Sequence, residues 1–235
     1  MGVLESGREK YQGVAYRVRK KVHCDKQRNF TPGNRGCTAR PGRAEELMIF
    51  IGLDVSYRAT GFVALNAEGQ VLRACEIGEK AVTGLGKNSE NDLIRIEKIT
   101  EKIMCEVRAL EKDGQEIQLS MEGYAFARNF GMAAFGELGG VLKYKLYDEF
   151  GMPRIISPGQ VKKFATGKGG GKKALILKEV FRRWGHNFDS DNIADAYVLA
   201  RIILDGDKYK RGEIDKTWIK PQIETLKVIF GGIEK

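Results

Sequence analysis

Residues Met48–Ser56 read MIFIGLDVS, and a second apolar run, TGFVAL, follows at Thr60–Leu65. Two apolar runs separated by a few polar residues are typical of a strand, a tight turn and a paired strand. Asp54 is the first polar residue of this pair. A carboxylate at the edge of a buried strand is desolvated, so it must be neutralised, paired or bound to a metal ion. We expect a metal ion; the alternative is that Asp54 caps the turn through its side chain.

The composition indicates a globular protein with one domain and extensions. The 235 residues are 42% hydrophobic, which is enough for a substantial core. No charged start precedes an apolar run, and no stretch approaches ~18 apolar residues, so we expect neither a signal peptide nor a membrane helix, and a cytoplasmic location. The four cysteines match no zinc spacing and no compact disulfide framework, which predicts reduced thiols: Cys24, Cys37, Cys75 and Cys105.

The positive charge is unevenly distributed. Of the formal net charge of +9, residues 1–47 carry +6 and residues 48–235 only +3. Residues 1–47 show no sustained hydrophobic period, so we predict a disordered extension. Glu45–Leu47 can be encoded by a purine-rich ribosome-binding sequence, which suggests that translation normally begins at Met48. In the main region a nucleic-acid surface must be a local patch, and residues 157–173 supply five lysines and no acid: Lys162, Lys163, Lys168, Lys172 and Lys173.

Hydrophobic periods predict the other elements. After the first two strands we expect strands over 70–77, 115–121 and 153–156, and helices over 91–112, 131–150, 157–165, 172–184 and about 189–204. Three antiparallel strands followed by parallel crossovers predict an α/β fold of the ribonuclease H-like type, with a mixed five-stranded sheet and helices on both faces. We place this domain at residues 48–205. Residues 206–235 are predicted to be a polar tail with a possible short helix near 221–230.

Three acids come from distant parts of this fold. Asp54 follows the first strand, Glu122 follows the fourth strand, and Asp195 lies on the last long helix. Acids that meet at one sheet edge repel each other unless cations are bound, and oxygen-rich sites suit Mg²⁺ or Mn²⁺. Two such ions can drive phosphodiester hydrolysis. Asp191 and Asn192 are four and three positions before Asp195, so either can share its helix face, although Asp191 can instead serve the helix N-terminus.

The segments after these acids suggest contacts with DNA. Residues 167–173 do not have the spacing of a nucleotide-binding P-loop, but a flexible glycine-lysine loop that leads into a helix suits a DNA phosphate. A merely solvated loop is the alternative. The aromatics Tyr124, Phe126 and Phe130 closely follow Glu122 and either stack on unpaired bases or pack into the core.

These motifs, in this order and spacing, resemble the RuvC family of Holliday-junction resolvases in its bacterial and phage branch. The resemblance spans about residues 48–204 and is carried by four segments: Gly52–Ser56 with Thr60 and Gly61, Met121 and Glu122 with Ala127–Asn129, Ser157–Lys163 leading to Gly167–Gly169, and Ala194–Ala196. It implies a homodimer that uses Mg²⁺, with Mn²⁺ as a substitute, to cut branched DNA symmetrically in recombination and repair. It implies no membrane and no nucleotide cofactor.

By position, the resemblance makes Asp54, Glu122 and Asp195 metal ligands and places Lys173 near the scissile phosphate. Arg128 joins the DNA-contacting residues. Asn192 stands where the family has an acid or a histidine, with Asp191 one residue earlier, so either residue completes the metal site. Ala125 stands where the family has an aromatic residue.

Two other functions are compatible with the sequence. A protein that has lost catalysis through Asn192 would bind branched DNA without cutting it. An actin-like or sugar-kinase-type ATPase also places an aspartate after its first strand, but that fold needs two duplicated domains, so a length of 235 residues disfavours it.

Overall fold

The sheet is built outward from its central strand, β1 (Met48–Asp54). The computed structural model describes residues 48–79, 89–112, 115–123, 132–170 and 174–231, so the predicted disordered extension over residues 1–47 lies outside the described residues. β1 pairs antiparallel with β2 (Thr60–Leu65), which pairs antiparallel with β3 (Val71–Ile77). On its other side β1 pairs parallel with β4 (Glu116–Glu122), and β4 pairs parallel with β5 (Arg154–Ile156). The order β3-β2-β1-β4-β5 confirms the predicted mixed five-stranded sheet.

Helices cover both faces of this sheet. They are α1 (Ser89–Leu110), α2 (Met132–Phe150), α3 (Pro158–Thr166), α4 (Ala174–Trp184), α5 (Asp191–Lys210) and α6 (Lys220–Phe230). One apolar cluster lies between the sheet and α1 and α2, and a second lies between the sheet and α3 to α6. Within β1, Ile49, Ile51 and Leu53 belong to the first cluster and Phe50 to the second, as expected for alternating side chains.

The helix α3 begins and ends as its sequence predicts. Ser157 is the N-cap, its side chain accepts a hydrogen bond from Gln160 N, and Pro158 occupies the first turn. The helix ends at Gly167, which has a φ of 82°. A left-handed residue at this position favours glycine, and Gly167 therefore terminates α3 just before Lys168.

The C-terminal region differs from the prediction. The helix α5 continues to Lys210 instead of ending near Leu204, so the boundary predicted at residue 205 falls inside a helix. The possible helix near residues 221–230 is confirmed as α6, but it packs against α3 and α5, and Trp218 and Leu226 join the core. A Cβ at Gly206 would strike the Phe230 ring, so this glycine permits the close approach of α6 to α5. The prediction of a polar tail was wrong because the many polar residues of this region face solvent, whereas its few apolar residues, such as Trp218 and Leu226, pack into the core.

Two further expectations concern thiols and membranes. Cys75 and Cys105 are free thiols in the structure, whereas Cys24 and Cys37 lie outside the described residues. Within the described ranges, none of the helices combines the length and the apolar character needed to cross a membrane.

Candidate active site

Asp54 is the last residue of β1, and its carboxylate lies on the face of the sheet that α5 covers. Side chains alternate along a strand, so Phe50, Gly52 and Asp54 share one face. Phe50 packs in the cluster on the α5 side, and a Cβ at Gly52 would strike the carbonyl oxygen of Ala196 in α5. Asp54 is only 8% exposed. The aspartate is therefore held at the carboxyl end of the central strand, almost completely removed from water.

The turn after Asp54 is held by its own hydrogen bonds. Ser56 N donates to Thr60 Oγ1 at 3.1 Å, and Thr60 Oγ1 donates to Ser56 O at 2.9 Å. Arg95 of α1 donates to the Tyr57 carbonyl oxygen at 2.9 Å and lies over the Tyr57 ring. Burial raises the pKa of Tyr57, and the negative charges of Glu137 and Asp92 raise it further. Hydrogen bonds thus hold the turn at this end of the sheet, and the acidic residues Glu137 and Asp92 lie near it.

Glu122 lies beside Asp54 on the neighbouring strand. In the parallel pair of β1 and β4, Leu53 is aligned with Met121, and Asp54 and Glu122 are the next residues of their strands. Aligned residues on adjacent strands are about 4.8 Å apart and point to the same face. Glu122 is half-buried. Two carboxylates from distant parts of the sequence therefore stand next to each other at the carboxyl edge of the sheet.

Asp195 comes to the same edge because α5 packs very closely on β1 and β2. A Cβ at Gly61 of β2 would strike the carbonyl oxygen of Asn192, just as one at Gly52 would strike Ala196. Asp54 is paired with Gly61, so the first turns of α5 lie directly over the end of β1. Asp195 is only 7% exposed there. The two glycines let the backbone of α5 approach the strands that carry the other acids.

The donor chemistry of this corner fits a hard divalent cation. Its side chains offer carboxylate oxygens from Asp54, Glu122 and Asp195 and an amide oxygen from Asn192, which are the ligand types that Mg²⁺ and Mn²⁺ prefer. Among the residues that the structure describes, no three His, Cys, Asp or Glu side chains form a group that could hold a metal ion. The strand register and the packing of α5 thus bring the three acidic residues to one corner, although their side chains do not converge as a ligand group in the described part of the chain.

The two residues considered for the remaining ligand occupy the first turn of α5. Ser190 is the N-cap, and its side chain accepts from Asn192 N at 3.2 Å. Asp191 is the first residue of the helix, where an acid is favourable to the helix dipole. The side chain of Asn192 is engaged: its Nδ2 donates to Glu76 Oε1 at 2.9 Å.

Glu76 is a residue near the site that the sequence did not single out. It lies in β3, where it is paired with Gly61, and its carboxylate contacts both Ser190 and Asn192. The alternating pattern of β3 and the register set by the turn at residues 67–69 were the available signals. They identify the face on which Glu76 lies, but the contact with α5 depends on the tertiary structure.

The predicted DNA-contacting lysines are partly described. Lys162 and Lys163 are on α3, and Lys168 is exposed just after it. Lys163 Nζ lies 2.9 Å from Glu224 Oε2 of α6, so its charge is partly compensated, and the same contact lowers the pKa of Glu224. The remaining predicted residues of the active and DNA-binding sites lie outside the described residues: Tyr124, Phe126, Arg128, Phe130, Lys172 and Lys173.

The fold is similar to solved structures of RuvC from Thermus thermophilus. One of them is similar at 18% sequence identity and a TM-score of 0.52, and the match covers 70% of this chain and 96% of that chain. A second, which is RuvC in complex with a Holliday junction substrate, is similar at 18% identity and a TM-score of 0.53, with 71% and 97% covered. No protein-family model matches the chain, and no curated protein sequence matches it significantly. The similarity extends over nearly the whole of the RuvC chains and shows that this protein has their fold.

Proposed function

We propose that this protein is a structure-selective DNA endonuclease that resolves four-way or branched junctions by divalent-metal-dependent hydrolysis. The observation that carries the proposal is the corner at which Asp54, Glu122 and Asp195 come together in a fold similar to that of RuvC. Branched DNA as the substrate rests on the Thermus thermophilus structure, which is a complex with a Holliday junction. Burial of a carboxylate costs free energy that hydrogen bonds, an ion pair or a bound cation offset, and a divalent cation can offset it for several acids at once.

In this proposal the three acids hold Mg²⁺, or Mn²⁺ in its place, and either Asp191 or Asn192 completes the site. When bound, such cations activate water for attack on a phosphodiester and stabilise the leaving oxygen. Asp54 and Asp195 bind from a nearly water-free position, while the half-buried Glu122 lies closer to solvent. Lys173 contacts the scissile phosphate.

The basic and aromatic residues near this edge bind the DNA. Lys168 is exposed just after α3, whereas Lys163 contributes less because Glu224 already compensates its charge. The wider set comprises Tyr124, Phe126, Arg128, Lys162, Lys172 and Lys173. Lysines position the phosphates, and aromatic rings stack on unpaired bases.

The protein acts as a homodimer, because two symmetric cuts in one junction need two copies of the site. The helix α2 offers an outward face for this contact. Its Tyr144 and Tyr147 are exposed, and a Cβ at Gly140 would meet no atom within 4 Å. Exposed aromatic side chains are enriched at protein interfaces.

Cleavage of a labelled synthetic four-way junction with Mg²⁺, compared with linear duplex, tests the function. We expect paired symmetric nicks in the junction alone. Asp54→Asn and Asp195→Asn should each lower the cleavage rate at least about 100-fold, because each removes a charge from the cation site. Asp207→Asn is the matched control, since Asp207 lies near the far end of α5 in an ion pair with Arg211.

Two results would contradict the proposal. Equal cutting of junction and linear duplex would exclude structure selectivity. Tight junction binding without cleavage in Mg²⁺ or Mn²⁺ would instead establish the rival function of a branched-DNA-binding protein. That rival is favoured by one observation, the neutral Asn192 in the first turn of α5.

A further inference from the structure

Glu76 lies in the same row of the sheet as the acids of the candidate cation site. Asp54 is paired with Gly61, Gly61 is paired with Glu76, and Glu122 adjoins Asp54 on its other side. Paired residues on adjacent strands point to the same face, so Glu76 is on the α5 side, about 10 Å from Asp54 across two strand spacings. Gly61 between them has no side chain. The space above Gly61 is therefore bordered by acids on both sides.

Asn192 occupies that space. The backbone carbonyl oxygen of Asn192 lies so close to Gly61 that a Cβ on residue 61 would clash with it. Its side-chain Nδ2 donates to Glu76 Oε1 at 2.9 Å, and the Ser190 hydroxyl bonds to the same carboxylate oxygen. Glu76 thus binds the N-cap of α5 and the side chain of the second helical residue at once.

This contact decides which end of the Asn192 amide is presented to a cation. The amide nitrogen only donates hydrogen bonds, and only the amide oxygen can be a ligand of a hard cation. A carboxylate accepts hydrogen bonds and therefore selects the nitrogen. With Nδ2 held on Glu76, the side-chain oxygen of Asn192 is the atom that can serve as a cation ligand.

We propose that Glu76 is a positioning residue of the divalent-cation site, which acts by holding the Asn192 amide with its oxygen toward the cation. This inference rests on the proposed metal-dependent function and extends it to β3. In this arrangement the neutral side chain of Asn192 becomes a ligand of the cation. The negative charge that an acidic ligand would provide comes from Glu76, which accepts the hydrogen bond of the Asn192 amide. Partners behind a ligand orient it and commonly affect metal affinity about 10- to 100-fold.

Titration of the DNA-free protein with Mn²⁺ by calorimetry tests this role without measuring cleavage. We expect Glu76→Ala to weaken Mn²⁺ binding about 10- to 100-fold. Glu76→Gln keeps an oxygen that can accept from Asn192, so it should recover most of the affinity. In an Asn192→Ala background, Glu76→Ala should change the affinity less than about twofold, because the residue through which Glu76 acts is gone.

Two control variants separate the proposed role from other effects. Glu116→Ala removes the same charge from the opposite end of the sheet and should leave Mn²⁺ binding unchanged. Ser190→Ala removes the N-cap but keeps the Glu76–Asn192 contact, so it should lower the thermal midpoint without the loss of affinity. Circular dichroism of each variant confirms that α5 has folded.

Three outcomes would overturn the inference. If Glu76→Ala lowers the thermal midpoint but leaves the affinity unchanged, Glu76 only stabilises the start of α5. If Gln and Ala at position 76 weaken binding equally, with or without Asn192, Glu76 acts only as a distant charge. If the wild type binds no Mn²⁺, the inference fails together with the metal dependence of the proposed function, whereas the first two outcomes leave that function intact.

Discussion

At the scale of single residues, the pair of Arg201 and Asp205 shows how α5 accommodates charge inside the core. Asp205 is completely buried, and Arg201 Nε lies 3.1 Å from both of its carboxylate oxygens, with the hydrogen bond to Oδ2. Burial raises the pKa of Asp205 from 3.8 to about 6, although the charge of Arg201 opposes this shift. The desolvation of the carboxylate thus outweighs its attraction to the guanidinium.

This raised pKa predicts a pH dependence of stability. Between about pH 4 and pH 6 the carboxyl group of Asp205 is protonated in the folded protein but ionised in the unfolded chain. The folded state therefore becomes less stable relative to the unfolded state as the pH rises through this range. The stabilisation by the protonated Asp205 is complete at low pH and is lost as the pH rises through about 6. Relative to Asp205→Asn, the wild type should lose about 2–3 kcal/mol of unfolding free energy between pH 4 and pH 7. Urea denaturation of both proteins across this range measures it. A difference that does not vary with pH would exclude this titration.

The sequence predicts Asp54, Glu122 and Asp195 as site residues because each interrupts or ends an apolar segment, and the strand register places the first two side by side. It did not identify Glu76, because an exposed glutamate on an edge strand is unremarkable until its partners are known. Those partners, Ser190 and Asn192, come from a helix more than a hundred residues later. Side-chain pairs of this kind depend on how the elements pack, which a hydrophobic pattern does not contain.

At the scale of elements, the close packing of α5 on the sheet is the feature that brings the acids together. Gly52→Ala would place a methyl group against the Ala196 carbonyl oxygen, so α5 must move. We expect a loss of about 1–3 kcal/mol in unfolding free energy. Cleavage should fall by about 100-fold, because a displacement of the order of 1 Å at a catalytic site has effects of this size.

Thermal unfolding and junction cleavage of the same preparation measure both effects. Gly140→Ala on α2 is the control for the unfolding measurement alone, because α2 carries the proposed dimer face: its Cβ meets no atom within 4 Å, so alanine should stabilise the helix by up to about 1 kcal/mol. Full cleavage by a folded Gly52→Ala protein would show that the site does not depend on this close approach.

The elements themselves were largely predictable, and the exceptions have a physical cause. β1, which is buried on both faces, was predicted from its continuous apolar run, and α1 was predicted from its helical hydrophobic period. The structure agrees with both within a few residues. The end of α5 was missed because Gly206 weakens a helical pattern that tertiary packing maintains. Gly206 is buried beneath the Phe230 ring of α6, so the missing side chain allows the contact that stabilises the helix.

At the scale of the whole molecule, the small net charge of residues 48–235 limits the proposed DNA binding to local basic patches. Residues 48–235 carry a net charge of only +3, so individual lysines should be distinguishable in the salt dependence of binding. Lys168→Ala should reduce the slope of log affinity against log salt by about 1, as expected for the loss of one phosphate contact.

Lys163→Ala is the comparison, because its charge is already compensated by Glu224 and its removal should change the slope much less. Junction binding by anisotropy between about 50 and 200 mM salt measures both variants. Equal changes in slope would mean that the ion pair with Glu224 opens when DNA binds.

The packing of α5 also has a consequence for the order of events during synthesis. Asp54 and Glu122 leave the ribosome before the helix that carries Asp195 and Asn192, which follows after all five strands of the sheet have been synthesised. This helix forms much of the core on its side of the sheet, so neither that core nor the acidic corner is complete before α5 emerges. If the proposed function holds, a nascent chain cannot cut DNA until its fold is nearly finished.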